Sequence, residues 1–429
     1  MFCNREVRMP AQTIIHRLSC GIPLLIRRNH EVAVATVDAW VRTGAADEPP
    51  EVAGVSHFLE HMLFKGTEHR GLGQIEREIE NVGGVCNAGT SYDFTHYYVT
   101  LPSASMGVGV DVIADIMRRA TLDPGELERE RMVILEEYRR KQDHPVGILG
   151  ERLYEEIFER GPYHESVIGT EQTIAAIDRE RMLEYYRKRY TPHSITLVVT
   201  GDVQPRQVLD QAERAFAGFD RPVVQMRPDP ELSYGLGKRV YVPHPTGGEV
   251  YVAFAFGSPG MNRPDAVLPL DIAQSILGQG RASRLFQSLK EKQGLCSMIS
   301  TYFPTHLRDS LFAVIATCPP DKREPLRRAF IAELEAFAGA LPETQQFNRA
   351  FRVLESDHLF AMETSTEAAS LLGYYYTMTG STEFIDRYID RLGAVTPEQM
   401  CQVFTNSIRP GQIEAQVTEV AVGPNGSSG

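Results

Sequence analysis

His57, Glu60 and His61 lie together in VSHFLEHMLFKGT, and two imidazoles and a carboxylate at this spacing could form a metal centre. Residues four apart on a helix project from one face with Cβ atoms roughly 6 Å apart, so His57 and His61 can converge on one small cation. Glu60 flanks the same stripe, where a carboxylate can take a proton from a water at the metal without being a ligand. The pattern HxxEH is the inverse of the HExxH found in many zinc hydrolases. A surface helix with two hydrogen-bonded histidines is the competing reading of these five residues alone.

A catalytic zinc needs a third protein ligand and an open fourth position, which directs attention to LDPGELERERMVILEEYRRKQDHP. Asp123 and Pro124 have the form of an N-cap and a first helical residue, and Pro145 marks an end, so this run is expected to be one long helix. Glu130 and Glu137 share a face on it, beside Leu127, Ile134 and Tyr138, whereas Glu136 points about 100° away. Periodicity leaves Glu130, Glu136 and Glu137 nearly equal as candidate ligands. Downstream of the Gly83-Gly84 turn, VCNAGTSYDFTHYYVTL alternates as a strand does.

These stretches, with YTPHSITLVVTGDV, resemble the pitrilysin group of HxxEH zinc peptidases, the inverzincins, which includes insulin-degrading enzyme and the mitochondrial processing peptidase. The resemblance runs over almost the whole chain, with the motifs in the family's order. It implies that His57, His61 and Glu137 bind one Zn2+ per chain, that Glu60 is the general base, and that Glu130 supports the site from behind the ligands. It further implies that the backbone at Asn87 and Ala88 pairs with an extended peptide, a mode tolerant of side-chain sequence. The implied reaction is hydrolysis of a peptide bond with no nucleophilic side chain. A serine or cysteine hydrolase is disfavoured, since the chain has no GxSxG elbow and no cysteine in a recognisable signature.

The chain has 429 residues, of which 42% are hydrophobic, enough for at least two cores. No run approaches the ~18 apolar residues of a membrane span, and a net charge of −12 argues against nucleic-acid binding. The start, MFCNREVRMPAQ, has no apolar core of a secretory signal, and six scattered cysteines suggest reduced thiols, so a cytoplasmic location is expected. A proline-bearing stretch, residues 221–239, has the composition of a linker between domains at 1–220 and 240–429. AWVRTGAADEPPEVAGVSHFLEHMLF pairs with AFAFGSPGMNRPDAVLPLDIAQSIL, which sets Leu270, Ala273 and Gln274 where His57, Glu60 and His61 stand. The second half thus repeats the shape without the metal. The expected class is α+β: two homologous domains, each a mainly antiparallel sheet with helices on one face, together forming half of a clam-shell chamber.

One departure from the family pattern stands out. Relatives often carry an Arg and a Tyr seven apart in LREKRGLAY, which contact substrate; here LKEKQGLCS places Lys290 and Ser297 at those positions. Lysine keeps the charge without the planar fork, and serine cannot extend a phenol. The resemblance therefore implies a zinc endopeptidase acting with a homologous subunit that carries the Arg/Tyr pair. A homodimer is the alternative assembly, and a non-catalytic core subunit is the alternative function.

Overall fold

The computed structural model describes residues 13–222 and 231–424. The N-terminal segment 1–12, the middle of the expected linker at 223–230 and the last residues of the expected second domain, 425–429, lie outside those residues. The first sheet uses β1 (Ile14–Arg17), β2 (Pro23–Arg28), β3 (Val34–Val41), β4 (Val85–Thr90), β5 (Thr95–Pro102) and, after the short β6 (Phe158–Arg160), β7 (Ile195–Gly201). Its order is β1-β2-β7-β3-β5-β4, antiparallel except where β2 runs parallel to β7. The short β8 (Ser233–Tyr234) pairs with β6.

The second sheet contains β9 (Arg239–Pro243), β10 (Val250–Ser258), β11 (Met298–Tyr302), β12 (Ser310–Cys318) and β13 (Thr418–Gly423). Read from β9, its order is β9-β13-β10-β12-β11, again with one parallel pair, β9 with β13. This repeats β2-β7-β3-β5-β4 strand for strand, so the duplication read from the sequence is a duplication of topology.

The helices follow the same plan. The first half has α1 (Val55–Leu63), α2 (Gln74–Asn81), α3 (Met106–Arg119), α4 (Pro124–Asp143), α5 (Pro145–Ile157), α6 (Glu171–Ala176), α7 (Arg179–Arg189) and α8 (Pro205–Ala215). The second half has α9 (Pro264–Gly278), α10 (Arg323–Ala338), α11 (Thr344–Ala361) and α12 (Ser365–Thr379), with shorter helices beyond. α9 follows β10 as α1 follows β3, and Leu270 and Ala273 are buried in its core.

The sheets are covered on both faces, which corrects the expectation of helices on one face. β7 (ITLVVTG) is buried at every position, the pattern of a strand packed on two sides rather than one. Val37, Ala39, Leu197 and Val199 meet α1, α3 and α8 on one face. On the other, Leu25, Trp40 and Val198 meet Ala369 and Leu372 of α12, a helix from the second half. The converse also holds: Ile148, Leu149 and Leu153 of α5 pack on Ala253, Ala255, Val420 and Val422 of the second sheet. Each half lends one helix to the other. Gly373 makes this possible in α12, since a Cβ there would lie 2.0 Å from Trp40 Nε1.

Candidate metal centre

The zinc-type residues are carried by α1, which lies against β4 and packs on α4. Its start is fixed by Gly54, in the left-handed region at φ 93°, where a Cβ would stand 2.4 Å from the Ile168 carbonyl oxygen. Ahead of it, the Glu48 carboxylate accepts the Gly54 and Ser56 N–H groups at 2.6 Å each, filling the donors that a helix N-terminus leaves open. Burial pushes the Glu48 carboxyl up to about 8, against these hydrogen bonds. α4 begins as the sequence suggests, with the Asp123 side chain accepting the Gly125 and Glu126 N–H groups at 2.8 and 3.0 Å. Pro145 both follows its end and opens α5.

His57 and His61 on α1 meet Glu137 on α4. His57 Nε2 is 3.7 Å from Glu137 Oε1, and His61 Nε2 is 3.7 Å from Glu137 Oε2. One ligand atom from each residue lies within 4.8 Å of the other two, and this is the grouping of its kind found among the described residues. Separations of 3.7 Å are too long for hydrogen bonds. They are close to the ~3.4 Å between nitrogens placed tetrahedrally about 2.05 Å from one ion. The residues therefore fit a zinc ion. Burial, with His61 and Lys141 nearby, holds the His57 imidazole down at about 3, in the neutral form that ligates a metal.

The remaining acids divide by position. Glu130 is 11% exposed at its side chain, against 40% for Glu137; it accepts His61 Nδ1–H at 3.2 Å and pairs with Lys65 Nζ at 2.7 Å. It thus holds the imidazole from behind, as carboxylates do for metal-bound histidines. Glu136 faces solvent. Glu60 Oε2 accepts the Thr90 hydroxyl of β4 at 2.5 Å, and burial raises its carboxyl above the ordinary range. Such a shift suits a group that must take up a proton near neutral pH.

β4 is the edge strand of its sheet. Asn87 is exposed there, and its Oδ1 accepts the Ala88 N–H at 2.9 Å, so that N–H is turned from β5 toward the free edge. The site thus places an open strand edge beside the histidine cluster. In the second half, Lys290 Nζ lies 4.8 Å from the Phe286 ring centre, and Ser297 Oγ donates to the Thr317 carbonyl oxygen at 3.2 Å. Gln274, the counterpart of His61, turns its amide toward Thr301.

Glu48, Lys65, Thr90 and His96 belong to this neighbourhood but were not singled out in the sequence. Lys65, Thr90 and His96 act through contacts with Glu130, Glu60 and Asp38 on elements far apart in the chain, and Glu48 through a loop that folds onto the start of α1, none of which spacing displays. The register of β4 on β5, opposing Gly89 to His96, is the signal that could have found the last of them.

Similarity to known proteins extends over most of the chain. Residues 24–171 match the family Insulinase (Peptidase family M16), and residues 176–354 match the Peptidase M16 inactive domain. A Rickettsia bellii protein named as an uncharacterized zinc protease is 26% identical over 97% of this chain and 98% of its own length. A Bacillus subtilis protein of the same description is 24% identical over 90% of this chain and 94% of its own. The crystal structure of a Helicobacter pylori protease superposes with a TM-score of 0.89 at 23% identity, covering 96% of this chain and all of that one, a likeness of fold. The chain is a member of peptidase family M16, the insulinase family of zinc proteases.

Proposed function

We propose that this chain is a zinc-dependent endopeptidase that hydrolyses extended peptides held along the edge of β4. The observation that carries the reading is the convergence of His57, His61 and Glu137 beside Glu60, itself tied to the edge strand through Thr90. His57, His61 and Glu137 hold one Zn2+, which when bound supplies Lewis acidity to the scissile carbonyl and to a water molecule. Glu60 accepts the water's proton and passes it to the leaving amine. Glu130 and Lys65 fix the His61 ring, and the outward main chain at Ala88, beside the exposed Asn87, aligns the substrate strand.

The second half offers neither a planar fork nor a phenol at Lys290 and Ser297. The Ser297 hydroxyl is already engaged with Thr317, which supports a partner subunit carrying the Arg/Tyr pair and closing a chamber around the site. The decisive experiment is Glu60→Gln. Zinc content by metal analysis should stay near that of the wild type, while peptide cleavage falls by about a thousandfold or more. Near-normal turnover would refute the mechanism, and a wild-type zinc content near zero would return the chain to the role of a non-catalytic core subunit.

A further inference from the structure

On β5, the face turned away from α1 carries His96, directly opposite Gly89 of the edge strand. Gly89 has no side chain to fill the space above it, and the imidazole occupies that space: a Cβ on Gly89 would lie 3.1 Å from His96 Nε2. A residue one strand in from the edge therefore reaches across β4 toward whatever pairs with its free side. The ring is held for this. His96 Nδ1 lies 3.3 Å from both oxygens of Asp38, whose side chain is 2% exposed, and the imidazole packs against Trp40 and Tyr98 with ring centres at 4.4 and 5.6 Å. With Nδ1 committed to Asp38, Nε2 is the atom left to meet a ligand, on a side chain that is 16% exposed.

The register sharpens the point. Because the Ala88 N–H faces the free edge, an added antiparallel strand would exchange its main-chain hydrogen bonds with Ala88. Its neighbouring residue would then sit opposite Gly89 in the closer, non-hydrogen-bonded position, with its side chain on the His96 face.

We propose that His96 is a specificity-determining residue of the peptide site, its Nε2 favouring a hydrogen-bonding substrate side chain such as Gln over an apolar one at the position above Gly89. This rests on the strand-addition reading of the proposed function. Asp38 is a positioning residue that fixes the ring.

The test is binding of a positional peptide series to the zinc-loaded Glu60→Gln protein, read by fluorescence anisotropy, with Gln or Leu at each position in turn. At one position Gln should bind about tenfold more tightly than Leu, the worth of one good hydrogen bond. His96→Phe should abolish that preference without changing zinc content, His96→Gln should restore part of it, and Asp38→Asn should weaken it. A Gln/Leu ratio that is the same with and without the His96→Phe substitution at every position overturns the proposal while leaving the peptidase reading intact. Failure of every peptide to bind overturns both.

Discussion

At the scale of single residues, two glutamates on one face of α4 have different surroundings and hence different tasks. Glu137 reaches the histidine pair from the open side, and Glu130 sits behind His61 with Lys65. Glu137→Ala should abolish stoichiometric zinc binding, and Glu136→Ala should leave it unchanged, both read by metal analysis after dialysis. Glu130→Gln keeps the shape and loses the charge-assisted hydrogen bond, so zinc affinity should fall about 10- to 100-fold in a competition titration. The histidine pair was legible in the sequence because the two imidazoles lie four residues apart on one helix face. Periodicity did not decide which acid joins the pair, since the choice between Glu136 and Glu137 depends on how α4 is rotated against α1, and that between Glu130 and Glu137, on one face, depends on how far α4 is shifted along it; both are tertiary quantities. Thr90 was illegible for the same reason: its bond to Glu60 depends on where β4 comes to rest.

Among the elements, α1 depends on what precedes it. Gly54→Ala would place a side chain at φ 93° against the Ile168 carbonyl, so we expect a loss of about 2–4 kcal/mol in denaturant unfolding, together with weaker zinc binding. Glu48 joins that loop to the helix, and nothing in DEPPEVAG discloses that its carboxylate turns back onto Gly54 and Ser56. α9, the metal-free counterpart of α1, carries a different liability. Asp271 has no hydrogen bond or ion pair among the described residues, stands near the phenols of Tyr374, Tyr375 and Tyr388, and is pushed by burial from 3.8 up to about 7. Its folded pKa is the higher one, so its contribution to stability is complete below 3.8 and is lost as pH rises through about 7. Asp271→Asn should therefore leave stability at pH 4 nearly unchanged and raise it at pH 8 by roughly 2–4 kcal/mol, measured by urea unfolding at both pH values.

For the whole molecule, the Arg/Tyr pair missing from the second half sets the expectation for activity. The purified chain should bind zinc yet cleave peptides slowly. A homologous subunit that lacks HxxEH but carries the pair should raise the rate a hundredfold or so, and Tyr→Phe in that partner should cancel much of the gain. Full activity of the isolated chain, indifferent to any partner, would refute this and favour a homodimer. The duplicated architecture was legible because β10 and α9 repeat the pattern of β3 and α1. The exchange of α5 and α12 was not, since apolar faces such as Leu25, Trp40 and Val198 show that a strand is covered without showing by what. That exchange has a consequence for synthesis on the ribosome. The half that bears the histidine cluster is translated first, but one side of its sheet stays bare until residues as late as Thr379 have emerged. We expect the metal site to form only once residues 365–379 are available to cover that face. A nascent chain stalled before Ser365 should remain protease-sensitive across β3 and β7, and a peptide spanning 365–379 added in trans should protect it.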